Sequence, residues 1–305
     1  MTRPTLAARV VSVAVALLVA LPTTALAQQM QPEPVLDRAP ARIGYRDNAT
    51  LRGHVENGTP GQTIRLQRRP GGADWRTVAR KPSDDSNRVR FVMRDQRRTA
   101  SYRLVYRDEV TGDRTVGNVK MVKVAPRLTL RPARHHVMVD RRVWLRGNLY
   151  PKKAGREVIV QQRIDGTWRT IARPSVIDGF FSTKFRPGHV GLRALRVRFP
   201  GDGTNAAAAE RDSIRIYDPD LATWYGPGLY GNSTACGKTL GRDTLGVAHR
   251  SLPCGTKVSL LYQGRTITVP VIDRGPYSDA EWDLTAETAE RLRFEGTDTV
   301  GTDPR

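Results

Sequence analysis

Trp75-Arg76-Thr77-Val78-Ala79-Arg80 returns 93 residues later as Trp168-Arg169-Thr170-Ile171-Ala172-Arg173. Upstream, Leu51-Arg52-Gly53 returns as Leu145-Arg146-Gly147, at an offset of 94. Each Trp-headed segment follows a strand-like run, Ile64-Arg65-Leu66-Gln67-Arg68 in the first copy and Val158-Ile159-Val160-Gln161-Gln162 in the second. A Gly-containing turn joins run to Trp in both, through Gly71-Gly72 and Asp165-Gly166. This is a β-hairpin written twice. Later runs keep the same order, residues 89–93 against 180–185 and residues 102–106 against 192–199. No helix-period segment of useful length interrupts either copy. Short strands at regular spacing over ~95 residues predict an all-β sandwich.

Working outward, the repeat resembles a tandem of bacterial immunoglobulin-like modules, at residues 44–125 and 126–219, with Pro126 near their boundary. The Gln- and Pro-rich stretch 28–43 reads as a tether. Tyr217-Asp218-Pro219-Asp220 reads as punctuation that ends the second module. The tryptophans of the modules are expected to pack the core or the hairpins rather than bind sugar. His135-His136 falls in an expected inter-strand loop without partner ligands at sensible spacing, so no metal site is assigned there.

The N-terminus reads as an export signal over residues 1–27. Arg3 and Arg9 precede an apolar run at residues 10–21, and Ala25-Leu26-Ala27 supplies small residues for cleavage before Gln28. The apolar run is short for a membrane span, and no transmembrane segment is expected. The protein is therefore expected to be secreted, extracellular or associated with the cell wall, out of reach of nucleic acid. The formal net charge is +20. Residues 28–220 hold +19 of it, whereas the chain from Leu221 onward nets −1. A basic region followed by a near-neutral domain suggests anchoring on anionic wall polymers; the alternative is a solvated Arg-rich surface with no dedicated partner. Cys236 and Cys254 both fall in the last third. In an oxidising compartment such a pair is most simply a disulfide, worth ~3 kcal/mol in the chain-entropy model. A metal site would need further ligands, and His249 is the only histidine between them.

The last domain, residues 221–305, opens with Ala222-Thr223-Trp224-Tyr225 running into a Gly-rich loop. A strand over 257–262 turns at Gln263-Gly264 into a strand over 265–272, which stops at Asp273-Arg274-Gly275-Pro276. A short helix follows, with Thr285 as N-cap, Glu287 in the first turn and Leu284 with Ala289 as a hydrophobic staple. A final strand is expected near 297–301. The run Trp224-Tyr225-Gly226, Ala248-His249-Arg250-Ser251-Leu252-Pro253, Asp273-Arg274-Gly275-Pro276 and Asp283-Leu284-Thr285 resembles the rare lipoprotein A family. That resemblance covers about residues 221–301. It implies a six-stranded double-psi β-barrel related to expansins and to some lytic transglycosylases. It also implies cleavage of peptidoglycan between N-acetylmuramic acid and N-acetylglucosamine, leaving a 1,6-anhydro end. The family motif matching Thr234 to Lys238 usually ends in glutamate, where this sequence has Lys238.

The chemistry favours the same region. A lytic transglycosylase can use one carboxyl group, which protonates the leaving oxygen and then accepts a proton from the sugar's own 6-hydroxyl. Asp283 matches the acid position of the related proteins and is the candidate acid/base. Asp273 is a second candidate, with a turn-forming role as its alternative. His249 is a candidate to orient a carboxylate or bond a sugar hydroxyl. Tyr225, Trp224 and Arg274 are candidates for substrate binding, Tyr225 at the groove and Trp224 with core packing as the stronger expectation. No cofactor is implied. The expected function is a secreted peptidoglycan lytic transglycosylase, with a non-hydrolytic, expansin-like glycan-binding protein as the alternative.

Overall fold

The computed structural model describes residues 1–2, 31–109 and 111–305. Apart from its first two residues, the expected signal segment 1–27 lies outside the described residues. The regular secondary structure of the described residues is strand apart from one α-helix, Ala286–Leu292. No helix among the described residues is long and apolar enough to cross a membrane.

Two immunoglobulin-like sandwiches come first. In the first, Glu33–Arg38, Ala49–Glu56 and Arg88–Met93 form one sheet. Thr63–Pro70, Arg76–Pro82, Ala100–Arg107 and Lys120–Val124 dominate the facing sheet. Alternation along each strand sends Leu36, Leu51 and Phe91 from one sheet and Ile64, Leu66, Tyr102 and Leu104 from the other into a shared core. The second sandwich repeats the plan. Val143–Tyr150 and Phe180–Phe185 face Ile159–Ile164, Gly191–Phe199 and Ala208–Tyr225 around Leu145, Phe181, Val160, Leu195 and Ile214.

The stretch expected as a tether is different. Glu33–Arg38 pairs antiparallel with Ala49–Glu56, and Arg42–Ile43 crosses to pair parallel with Lys120–Val124. Pro34 and Leu36 are buried in alternation, which ties the segment to the core. Two inward residues among prolines and charges make too short a period to recognise in sequence. The second module does the same, with Arg131–Pro132 on Val143–Tyr150 and His136–Met138 parallel to Ala208–Tyr225.

The modules meet at Asn205, which a buried charge of the second module holds in place. The Arg156 side chain is 3% exposed and donates to the Asp202 carboxylate, to Asn205 Oδ1 at 2.7 Å and to the Pro151 carbonyl at 2.8 Å. Asn205 Nδ2 in turn donates to the Arg97 carbonyl of the first module at 3.0 Å. Burial works to raise the pKa of Asp202. Hydrogen bonds from the amides of Asn205 and Thr204 and from Lys153, with the Arg156 charge, win and lower it to about 2. Its contribution to stability is therefore full above the ordinary carboxylate value and fades as pH falls through about 2. Melting temperatures of the native chain and Asp202→Asn are expected to differ at pH 5 and to converge as pH approaches 2.

The expected punctuation at Tyr217-Asp218-Pro219-Asp220 is also different, because one strand, Ala208–Tyr225, runs straight through it. Its pairing with Gly191–Phe199 ends at Ile216, pairing with Asp298–Pro304 begins at Asp218, and pairing with Trp282–Thr285 begins at Ala222. Pro219 sits where the strand has a neighbour on one side only, so its missing N–H costs little of the ladder. Gly301 lies opposite, where a Cβ would come within 2.8 Å of Tyr217 Cβ. Arg215 and Asp303 form a largely buried ion pair across the same junction.

Six strands then close a barrel: β1 (Ala208–Tyr225, through its C-terminal part), β2 (Val247–Ala248), β3 (Lys257–Tyr262), β4 (Arg265–Asp273), β5 (Trp282–Thr285) and β6 (Asp298–Pro304). The ring order is β1-β5-β2-β4-β3-β6 and back to β1, with β1/β5 and β2/β4 parallel. Closure leaves no sheet edge, and Val258, Leu260, Val269, Val271, Leu284 and Val300 fill the interior. The helix α1 (Ala286–Leu292) follows β5 directly. Thr285 caps it by accepting from the Thr288 amide, and Leu284 and Ala289 both join the core. The last strand is longer than expected and reaches Pro304.

Candidate active site

Strand register places the carboxylates. Thr223 on β1 pairs with Asp283 on β5, Asp283 with Ala248 on β2, and Ala248 with Asp273 on β4. Thr223, Asp283, Ala248 and Asp273 thus form one transverse row. With strands about 4.8 Å apart, the two aspartate Cα atoms stand two strands, about 10 Å, from each other. The register itself depends on a bulge. Val247 pairs with Val271 but Ala248 pairs with Asp273, so Ile272 is skipped. Without that extra residue Ile272 would take the place of Asp273 in the row.

The two carboxylates have different surroundings. Asp283 Oδ1 accepts a hydrogen bond from Thr223 Oγ1 at 2.8 Å. Burial pushes the Asp283 pKa above the ordinary carboxylate value; the Thr223 hydroxyl pulls it partly back, and the negative charge of Asp273 adds to the rise. Asp273 Oδ1 accepts from the backbone amides of Ala235 and Arg274, both at 2.8 Å. Tyr225 lies two residues beyond Thr223 and so on the same face of β1. Its buried hydroxyl approaches Asp273 without completing a well-formed hydrogen bond. Burial, then the charges of Asp273 and Asp283, push its pKa up strongly. After it the chain turns at Gly226, where a Cβ would come within 2.9 Å of Ala286 Cβ.

The loop between β4 and β5 is held from below. Arg250 donates to the carbonyls of Pro276 at 3.1 Å, Ser278 at 2.5 Å and Ala280 at 2.7 Å, and pairs with Glu281 at 3.3 Å. Tyr277, at the tip of this fixed loop, is 95% exposed. A disulfide between Cys236 and Cys254 joins the loop after β1 to the turn before β3.

Residues 221–301 match the family model described as lytic transglycolase. The C-terminal barrel belongs to that family. This chain is 40% identical over 83 residues to the "Probable endolytic peptidoglycan transglycosylase RlpA" of Synechocystis, covering 26% of this chain and 26% of that protein. It is 46% identical over 59 residues to the "Endolytic peptidoglycan transglycosylase RlpA" of Campylobacter jejuni, covering 19% of this chain and 22% of the relative. The "Probable endolytic peptidoglycan transglycosylase RlpA" of Aquifex aeolicus is 40% identical over 141 residues, 45% of this chain and 57% of its own length. The chain thus spans about a quarter of the first two relatives. Among solved structures, the "tetra-tandem repeat in extending region of large adhesion protein" aligns with 89% of this chain and 74% of its own, at 11% identity and a TM-score of 0.34.

The remaining residues expected at the site of the RlpA-like barrel are dispersed around it. The ring nitrogens of His249 face away from the carboxylate row. Nδ1 accepts from the amides of Ser251 at 3.1 Å and Leu252 at 3.0 Å, and Nε2 lies 3.2 Å from Glu281. The ring packs on Trp282 with centroids 4.4 Å apart. Arg274 reaches the His249 carbonyl at 3.4 Å and Cys254 Sγ at 3.5 Å, behind the row. Trp224 is 41% exposed, so the core packing expected for it is not what the strand does. Alternation along β1 turns it away from Thr223 and Tyr225. Lys238 is exposed on a turn closed by Thr234 N donating to the Lys238 carbonyl at 2.7 Å. That turn carries the Ala235 amide that holds Asp273.

Two participants were missed from sequence. Thr223 carries no local signal beside two aromatic residues, and only the β1/β5 register reveals its bond to Asp283. Arg250 belongs to the motif Ala248-His249-Arg250-Ser251-Leu252-Pro253, yet nothing local in sequence says that its donors span carbonyls 26 to 30 residues away. Because the Thr223 hydroxyl favours the charged form of Asp283, Thr223→Val is expected to raise the Asp283 pKa further. The alkaline limb of a pH–rate profile that needs protonated Asp283 then moves to higher pH. An unmoved limb would show that another group sets it.

Proposed function

We propose that the RlpA-like barrel is a peptidoglycan lytic transglycosylase. The observation that carries this is Asp283, a carboxyl raised by burial, standing in one row with Asp273 and beside the unpaired hydroxyl of Tyr225. Protonated Asp283 donates its proton to the glycosidic oxygen as the bond from C1 of N-acetylmuramic acid to the leaving N-acetylglucosamine breaks. The resulting carboxylate then accepts the proton of the muramic 6-hydroxyl as O6 bonds to C1. The product is a 1,6-anhydro end, and Asp283 is again protonated. Asp273, fixed by two amides, offers its other oxygen to the positive charge that develops at C1. Tyr225 is placed to bond a sugar oxygen. Export to the wall gives the barrel its substrate, and the positive charge of residues 28–220 adds retention on anionic wall polymers.

One observation favours a second reading, in which the barrel binds and loosens glycan without cleaving it: Lys238 stands where the family pattern has glutamate. Incubation of the purified chain with peptidoglycan separates the two. Mass spectrometry that finds anhydro-muropeptides supports cleavage, whereas co-sedimentation with wall and no anhydro product supports binding alone.

A further inference from the structure

We propose that each immunoglobulin-like module carries a preorganised guanidinium site for a phosphodiester wall polymer, centred on Arg103 in the first and Arg196 in the second. The proposal rests on the reading that residues 28–220 hold the protein on anionic wall polymers, and it locates the contact.

The site is built the same way twice. In the first module Arg103 pairs across the sheet with Gln67, donates Nε to Gln67 Oε1 at 3.0 Å, and lies 4.2 Å over the Trp75 ring. In the second, Arg196 pairs with Gln161, donates Nε and Nη2 to Gln161 Oε1 at 3.0 and 2.6 Å, and lies 4.2 Å over Trp168. The arginine and tryptophan return at an offset of 93 and the glutamine at 94. Both tryptophans are half-buried on the outer sheet face and outside the cores, so they serve as platforms for these arginines.

Further positive charge surrounds each centre. Arg69 also stacks on Trp75 at 4.8 Å, and Arg114 reaches Gln67 Oε1 at 3.4 Å. In the second module Arg211 stands directly across from Arg196. Like charges directly opposite destabilise a sheet, and no ion pair among the described residues relieves these arginines. Burial, then the positive neighbours, lower the pKa of both central guanidinium groups from its ordinary value. An arrangement that is unfavourable for the free protein is relieved by an anion.

The geometry selects the anion. Gln and Trp fix the guanidinium plane and take up its Nε side, and in the second module Nη2 as well, which leaves Nη1 of both arginines without a protein acceptor among the described residues. The guanidinium fork matches two oxygens of a phosphate, and immobilising it beforehand reduces the entropy lost on binding. Two such sites on one chain suit a polymer that repeats its phosphate, since the second contact is then intramolecular.

The test uses the full exported chain and three probes: cell walls bearing poly(glycerol phosphate), the same walls stripped of it with hydrofluoric acid, and phosphatidylglycerol vesicles. Arg103→Gln/Arg196→Gln is compared with Arg52→Gln/Arg141→Gln, which removes the same charge from exposed positions elsewhere. The expected result is binding to polymer-bearing walls at least about tenfold weaker for the first pair and less than about twofold weaker for the second, with no difference on stripped walls. Arg103→Lys/Arg196→Lys keeps the charge without the fork and is expected to lose at least about threefold, which preserves the test if the glutamine pair folds poorly. Equal losses from the two glutamine pairs would overturn the site while leaving diffuse retention intact. Native binding that ignores removal of the polymer would overturn the retention reading as well. Vesicles bound as tightly as polymer-bearing walls, with the same sensitivity, would reassign the site to lipid headgroups.

Discussion

Asp283→Asn is expected to lower the rate of anhydro-muropeptide release by about 100- to 10,000-fold, the usual contribution of one positioned acid/base. The amide cannot deliver a proton, yet its oxygen can still accept the 2.8 Å hydrogen bond from Thr223. The β1/β5 register and the barrel core should therefore survive, and the melting temperature and wall binding should stay close to native. Asp273→Asn is expected to fall less far. Its Oδ1 works as an acceptor for the Ala235 and Arg274 amides, a role the amide oxygen keeps. The comparison is made on initial rates with one peptidoglycan preparation. A native rate that ignores the Asp283 change would remove it as the acid.

Reduction of the Cys236–Cys254 disulfide is expected to destabilise the barrel by ~3 kcal/mol. For a domain of this size that moves the barrel's melting transition down by more than about 10 °C. The bridge closes a loop with a sequence separation of 18, and it anchors the segment whose Ala235 amide holds Asp273. Activity should therefore begin to fall at temperatures where the native barrel is still folded. Calorimetry with and without a thiol reductant reads the shift directly. A barrel transition that does not move would show that closure of the ring, rather than the bridge, sets its stability.

The repeated hairpin, the strand order of the modules and the capped helix were legible because each is carried by local pattern. The turn glycines, period-two alternation and the Thr285 cap need no distant partner. What the sequence hid was non-local. The first strand of the first module offers only Pro34 and Leu36 to the core, and its place depends on pairing with Ala49–Glu56. Pro219 reads as a break, yet it occupies the few residues where one strand leaves one sheet and enters another. The same limit applies to the site. Asp273 and Asp283 stood out as carboxylates at the ends of one loop. Their alignment needs the skipped Ile272, and the partners of Thr223 and Arg250 are set by register and by contacts across the fold. Trp224 looked like a core residue by type, but its strand position leaves it half exposed.

The most direct measurement is digestion of peptidoglycan by the native chain in water enriched in oxygen-18, with mass spectrometry of the new muramic ends. With Asp283 taking the proton of the sugar's own 6-hydroxyl, the account predicts anhydro ends that carry no solvent oxygen and are about 20 Da lighter than ends hydrolysed in the same water. Reducing ends that each contain one oxygen-18 would show that water attacks C1, and would contradict it.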